Sequence, residues 1–482
     1  MQTNKIIIVG GGSAGWMAAA TLISQFPNKD ITVIESPNIP TVGVGESTLG
    51  QINNWLNLLD IEDEDFMPHT DASYKLSIRF EDFYKKGDGG FHYPFGVPVE
   101  NEKIGLKQLW FLKKHLKPET PVTDYANWLY TNMALVNNNV LFKNEDNELE
   151  HFNFKYHTAY HFDAAKFGLW LKEHYCLPKG VKHLLEDIKS IETNEDGIVS
   201  LNNKHKADMY IDCTGFKSLL LGDKLKEHFN DYTHLLPNNK AWATRVPYKD
   251  KEKELLPYTN CTAIENGWVW NIPSWERIGT GYVYSDKYVS DEEALKEFKR
   301  HLDKKGSDYS NSQFKNIKMR VGIHDRLFVK NVCAIGLSAG FIEPLESNGL
   351  LSVHEFLINL VKVMKRGDGD SISQWDRDNF NLACKFFFNR FTEFVCQHYA
   401  LSHRDDTKYW KDISNKSFYD NRIFDKLEKD IKIKMDNDVF PDSIGGHHCI
   451  GVGLRYFGYD VLKERLNKET KFLMNFREKE VR

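Results

Sequence analysis

Apolar positions near the start of the chain first form a continuous run and then recur at helical spacing. Lys5-Ile6-Ile7-Ile8-Val9 is β-branched and uninterrupted, which predicts a strand buried on both faces. Gly10-Gly11-Gly12-Ser13-Ala14-Gly15 breaks the run, and an alanine-rich helix is expected from about Trp16 to Phe26. Ile31-Thr32-Val33-Ile34-Glu35 reads as a second strand. Much further on, Ala207 to Gly215 predicts a strand ending in a polar turn, preceded by a hairpin around Asn194–Gly197. Asn331 to Gly340 repeats the passage from strand into glycine turn. From about Asp376 the pattern is mostly helical. Phe386, Phe387, Phe388, Phe391 and Phe394 are expected in its core, and Val461–Arg482 reads as a charged helix with a solvated face. No internal repeat or low-complexity linker interrupts the chain.

The first two strands and the helix between them form a βαβ unit with Glu35 twenty positions after Gly15. A carboxylate there can accept both ribose hydroxyls of an adenosine, while a glycine turn lets backbone approach a pyrophosphate at the helix start. Dinucleotide binding follows from that combination, where glycines alone would be weak evidence. Asp212-x-x-Gly215 is similar to the strand end that returns to the cofactor in many FAD-dependent oxidoreductases. Three strand-to-glycine junctions spread over some 340 residues imply a cofactor domain assembled from distant segments. The expected fold is α/β with α+β insertions: a Rossmann-like FAD-binding domain, an inserted substrate region and a helical C-terminal part. One integrated unit over 1–460 is expected, with cofactor segments at about 1–90, 155–225 and 315–365, followed by the helix at 461–482.

Composition narrows the function. A chain of 482 residues can bury a large core. Its net charge of −5, with both signs scattered, gives no electrostatic case for nucleic acid. Seven cysteines without a Cys-x-x-Cys pair suit reduced thiols in a cytoplasmic setting and indicate no metal site. The apolar stretch Ile6–Ile23 holds four glycines, so it reads as strand, turn and helix and not as a signal peptide. No segment offers the roughly 20 apolar residues of a membrane helix, and no membrane partner is expected.

Six separated motifs then point the same way. They are Gly10–Gly15 with Trp16-Met17-Ala18-Ala19; Gly43-Val44-Gly45-Glu46-Ser47-Thr48; Tyr160-His161-Phe162-Asp163-Ala164; Trp268-Val269-Trp270-Asn271-Ile272-Pro273; Gly340 to Gly349; and His398-Tyr399-Ala400-Leu401-Ser402 with Arg404-Asp405-Asp406-Thr407. In this order they resemble the flavin-dependent halogenases of the tryptophan halogenase family over nearly the whole chain, and the overall look is similar to that family's marine viral members.

The resemblance implies an enzyme that uses FAD as FADH2 with O2, whose flavin C4a-hydroperoxide oxidises halide to hypohalous acid. That oxidant then reaches an aromatic substrate through a protected channel. Lys75 occupies the position of the family's catalytic lysine and Glu346 that of its carboxylate, which can help remove the arenium proton. Asn348 and Gly349 are implied to bind halide through backbone N–H groups. Gly10, Gly12, Ser13, Ala14, Gly15, Glu35, Ser36, Ile39, Val44, Gly45, Glu46, Ser47, Ile188, Asp212, Leu337 and Leu350 are the expected cofactor contacts. Trp268, Trp270, Ile272 and Pro273 would wall the channel, and Tyr93 and Phe95 would meet the substrate. Tyr93 replaces a histidine often found there, and no tryptophan follows Trp410, so a more open site for an indole or phenol other than free tryptophan is expected.

No second nicotinamide fingerprint occurs, which implies a separate NAD(P)H-dependent flavin reductase; a homo-oligomer is compatible with the sequence. Bromide and iodide are expected to react at least as readily as chloride, being easier to oxidise and to desolvate. Two alternatives compete: an aromatic hydroxylase using the same flavin chemistry, and a non-catalytic flavoprotein interaction module.

Overall fold

The β-branched run Lys5–Val9 forms the centre of a six-stranded sheet, because its isoleucines and valine are apolar on both faces and can be covered from both sides. Across the sheet the strands run Phe328–Val329, Val332–Ala334, Met209–Asp212, Lys5–Val9, Asp30–Glu35 and Lys182–Leu185. The pairings from Val332–Ala334 to Lys182–Leu185 are parallel, and only the Phe328–Val329 edge runs antiparallel. Segments some 300 residues apart therefore share one sheet. Lys5–Val9 is flanked by the strand that follows it on one side and by Met209–Asp212 on the other, so the chain reverses direction of travel there. In such sheets the crevice beyond the carboxyl ends of the strands is where ligands bind. The structure, a computed structural model, describes residues 1–39, 46–99, 106–141, 149–415 and 446–456. Val44, Gly45 and the helix expected at 461–482 lie outside the described residues.

A second sheet of seven strands runs Lys315–Lys318, Lys240–Val246, Ile278–Tyr284, Gly267–Pro273, Tyr258–Ile264, Ser77–Glu81 and Gly90–Pro94. It is antiparallel except where Tyr258–Ile264 meets Ser77–Glu81. A third, small sheet orders Glu46–Ser47, Ala159–Phe162 and Ser73–Lys75. Ser73–Lys75 and Ser77–Glu81 are separated only by Leu76, whose N–H donates to the Pro257 carbonyl. Lys75 thus stands where the chain leaves one sheet for another.

Two long helices close the structure. Asn348–Arg366 packs against the N-terminal helix Ser13–Gln25 and against Gln374–Ala400, whose start is fixed by a reciprocal Ser373–Asp376 capping box. Phe388, Phe391 and Phe394 are buried as expected, but Phe386 is 62% exposed. A 3.6-residue repeat cannot turn neighbours 386 and 388 toward the same core. The first helix begins three residues earlier than its apolar pattern suggested, at Ser13, because Gly12 is the N-cap and polar Ser13 already has helical geometry. Among the described residues no helix is long and apolar enough to cross a membrane.

Candidate functional site

The glycine turn leaves the end of Lys5–Val9 with Gly10 at φ +114°, a conformation that L side chains rarely adopt. A Cβ at Gly10 would stand 2.3 Å from the Cys213 carbonyl oxygen, and one at Gly15 would stand 1.9 Å from that of Gly10. Protein itself forbids side chains at these two positions. Gly12 differs: its φ of −77° is ordinary, and among the described residues no atom lies within 4 Å of its would-be Cβ. That open space at a helix N-terminus is what a pyrophosphate needs, so the residues fit the cofactor that the sequence implies. Ser13 Oγ donates to the Ala164 carbonyl (2.9 Å), and Ala14 faces Gly336 in the short turn that also carries Leu337.

Glu35 reaches back over the turn, where a Cβ on Gly11 would collide with its carboxyl group, and its Oε2 lies 2.8 Å from His183 Nε2. Ser36 Oγ donates to Asp187, next to half-buried Ile188, and Ile39 is 69% exposed. Asp212 is fully buried with both oxygens in use inside the chain. Oδ1 accepts from the Thr214 N–H and hydroxyl, and Oδ2 from the N–H groups of Leu220 and Leu221. Its side chain ties down the turn that follows it.

Away from the turn, three other segments converge on Lys75. The side chain is fully buried, and Nζ donates to the Thr48 carbonyl (2.7 Å) and to Ser347 Oγ (2.9 Å), with Ser47 Oγ at 3.4 Å. Ser47 and Ser347 hydroxyls lie 2.6 Å apart, so the segment Glu46–Thr48 and the loop before the long helix are joined at the lysine. The Phe95 ring centroid is 5.1 Å from the ammonium. Burial pulls the Lys75 pKa down to about 7, opposed by the Glu346 carboxylate, so a proton on this amine is labile near neutrality. Glu46, beside Ser47, is pushed up to about 7 by burial and by the Asp163 carboxylate.

Glu346 and Ser347 have φ of +64° and +58°, two successive non-glycine residues in the left-handed region immediately before Asn348–Arg366. Each such residue costs of order 1–3 kcal/mol, and such strain clusters at functional sites. Glu346 is buried; its Oε1 lies 2.9 Å from His398 Nε2, while Oε2 finds no hydrogen-bond partner among the described residues. Asn348 and Gly349 open the helix, placing their N–H groups in its first turn, where no intrahelical acceptor exists. The Asn348 amide donates to the carbonyls of Glu343 and Leu345, which fixes the loop. Leu350, the next residue, is buried.

Trp268, Trp270 and Ile272 share one face of the strand Gly267–Pro273, since alternate residues point the same way. All three are buried, as is Pro273. The Trp268 indole N–H donates to Glu343 Oε1 (2.9 Å), which also accepts from the Tyr399 hydroxyl, while Glu343 Oε2 accepts from Asn238 Nδ2 (2.8 Å). Burial nevertheless pushes the Glu343 carboxyl up to about 7. The Trp270 indole N–H is buried with no partner among the described residues.

Tyr93 and Phe95 are both buried, with ring centroids 5.7 Å apart and edge to face. The helix Gly446–Gly453 lies over the strand carrying Tyr93; a Cβ on Gly446 would stand 2.8 Å from the Tyr93 ring. At these two residues the site is covered, where an open one was expected. Sequence reasoning singled out the motifs holding Glu343, His398 and Ser347 but gave these side chains no role. The signal available was a carboxylate three residues before Glu346 and a histidine in a helix otherwise crowded with phenylalanine.

The model of the family described as "Tryptophan halogenase" matches residues 5–457. Tryptophan 6-halogenase SttH of Streptomyces toxytricini is 33% identical over 91% of this chain and 86% of its own length. Tryptophan 7-halogenase RebH of Lentzea aerocolonigenes is 32% identical over 89% and 81%. The solved apo structure of VirX1 superposes with a TM-score of 0.87 at 40% identity, covering 98% of this chain and 92% of that one. With the match running through the glycine turn, the lysine strand and the strained carboxylate loop alike, the chain belongs to the tryptophan halogenase family of flavin-dependent halogenases, which are enzymes.

Proposed function

We propose that this chain halogenates an aromatic substrate, an indole or phenol, with Lys75 and Glu346 as the reacting pair. The observation that carries this reading is a fully buried lysine, its pKa drawn down to about 7 by burial, whose neighbour is a buried carboxylate with one oxygen unpartnered among the described residues. When bound, reduced FAD with dioxygen supplies the two-electron oxidation of halide to hypohalous acid. Residues toward the cofactor are the Gly10–Gly15 turn for the pyrophosphate, Glu35 for the ribose, and Ser36, Ile39, Ser47, Ile188, Leu337 and Leu350 along the remainder. A separate NAD(P)H-dependent reductase delivers the reduced flavin.

Halide is held by the Asn348 and Gly349 N–H groups at the start of the helix. Lys75 donates a hydrogen bond to hypohalous acid, drawing electron density from oxygen so that the halogen becomes the electrophile. The buried site keeps water from competing for that donor. Trp268, Trp270, Ile272 and Pro273 keep the organic substrate apart from the flavin, and Phe95 with Tyr93 offers it aromatic surface. After the ring attacks halogen, Glu346 accepts the proton from the substituted carbon.

Nothing bulky or charged in Ser347-Asn348-Gly349 excludes a larger anion, and larger halides lose less hydration on entering a backbone-lined site. Bromide and iodide are therefore expected to match or exceed chloride. The test is mass spectrometry of an indole and phenol panel incubated with enzyme, flavin reductase, FAD, NADH and equal chloride, bromide and iodide, corrected for free hypohalite chemistry. Brominated or iodinated products lead if the reading holds. A chlorinated pool defeats the halide assignment, and oxygenated product formed without halide turns the reading to a hydroxylase.

A further inference from the structure

Glu346 is not the end of the polar chain in this site. The His398 ring lies between the Phe80 ring (centroids 4.9 Å apart) and the Phe394 ring (5.1 Å), and its side chain is buried. Its Nδ1 stands 3.0 Å from the Phe394 carbonyl oxygen, four residues back on the same helix. A carbonyl only accepts, so Nδ1 carries a proton in every state of the ring. Nε2 faces Glu346 Oε1 at 2.9 Å, and one further proton must lie between them, on either atom, for that contact to be attractive. No other ionisable side chain bonds either partner among the described residues. The Glu346 carboxylate acts on Lys75 through its charge, and burial keeps the nearby Cys261 thiol protonated and uncharged.

We propose that His398 is a positioning residue for the halogenation step: anchored through Nδ1, it holds Glu346 by Oε1, keeps Oε2 as the basic oxygen, and takes up the positive charge that the halogenated ring gives up. The assignment rests on the reading of Glu346 as the proton acceptor. In the step, the C–H bond at the halogenated carbon breaks, its electron pair restores the aromatic ring, and the proton bonds to Oε2. If the shared proton began on Oε1 it crosses to Nε2; if it began on Nε2 it stays. Both starting points end in the same state, a neutral carboxylic acid against an imidazolium. Without the imidazole, a buried carboxylate must either hold a full charge alone or enter the step already protonated, and both slow proton removal.

The test pairs His398→Gln with Glu346→Gln in the flavin-loaded full chain, with indole and ring-deuterated indole as probes and bromide as halide. The glutamine at 398 keeps a donor toward Oε1 but cannot take the charge. His398→Gln is expected to lower brominated product about tenfold or more, leave flavin binding, melting temperature and scavenger-trapped hypohalous acid unchanged, and raise the deuterium isotope effect on product clearly above unity. Wild-type turnover without an isotope effect overturns the His398 assignment if Glu346→Gln is inactive; if Glu346→Gln is fully active, the reading of Glu346 falls first. Nitrogen-15 spectra of labelled histidine give a readout independent of turnover, and so decide the matter even if indole is not a substrate. Nδ1 is expected to stay protonated across neutral pH, with the Nε2 resonance shifting on Glu346→Gln. An unprotonated Nδ1, or an Nε2 signal indifferent to that substitution, overturns the proposal.

Discussion

The glycine turn and the lysine centre solve opposite problems. The turn is made by residues within one short stretch and presents backbone; its selectivity lies in where side chains are missing. The centre draws on Thr48, Lys75, Glu346, Ser347 and His398, and the lysine alone bonds a residue 272 positions away. Its selectivity lies in removing water from charged groups, which moves a lysine by several pH units and leaves a carboxylate oxygen without a partner among the described residues. A cradle for a large anion can be local because backbone N–H groups occur everywhere. A dry reacting centre has to be enclosed from several sides, so its walls come from distant segments.

The largest effect that sharpens this contrast is expected at Lys75. Lys75→Ala should lower halogenated product by roughly 10²–10⁴-fold, the range for loss of a positioned proton donor, with flavin binding and peroxide formation kept. Product analysis beside a flavin-binding titration checks it, and a variant that halogenates at the parent rate removes Lys75 from the mechanism.

At the turn, the prediction separates two kinds of glycine. Gly12→Val should fold and melt like the parent yet lose flavin, since only the ligand competes for the open space at its Cβ. Gly10→Val should instead destabilise the chain by several kcal/mol, through positive φ and the clash with the Cys213 carbonyl. Flavin absorbance in the purified proteins and thermal melts read the two effects. Normal flavin retention by Gly12→Val breaks the cofactor assignment.

The smallest effect is a slope. An unfolded lysine holds its proton up to about 10.4, whereas in the folded chain burial brings Lys75 down to about 7. Between those values the unfolded state binds more protons, so this residue makes stability rise with pH across that window, and below it the cost of burying the cation is fully present. Lys75→Met abolishes the slope whatever constant offset its lost hydrogen bonds add. The difference in melting temperature between parent and variant should therefore move in the parent's favour as pH climbs from 7 toward 10. A difference flat in pH would mean that the lysine is not desolvated.

Much of the cofactor half was legible in the chain. Val9, the glycine run, the alanine-rich helix and Glu35 stand in one local register, and local register is what hydrophobic periodicity reports. Motif likeness alone carried Lys75 and Glu346, since a lysine between Tyr74 and Leu76 has no periodic feature to mark it. Tertiary structure decided the rest. It turned Phe386 to solvent, used both Asp212 oxygens within the chain, buried Tyr93 beneath Gly446–Gly453, and set His398 against Glu346 across 52 residues. Sequence determines which groups are present and which segments form strands or helices, because those depend on neighbours three or four positions away. Which groups lose water together depends on how distant segments pack, and that packing sets the protonation on which the chemistry of this site depends.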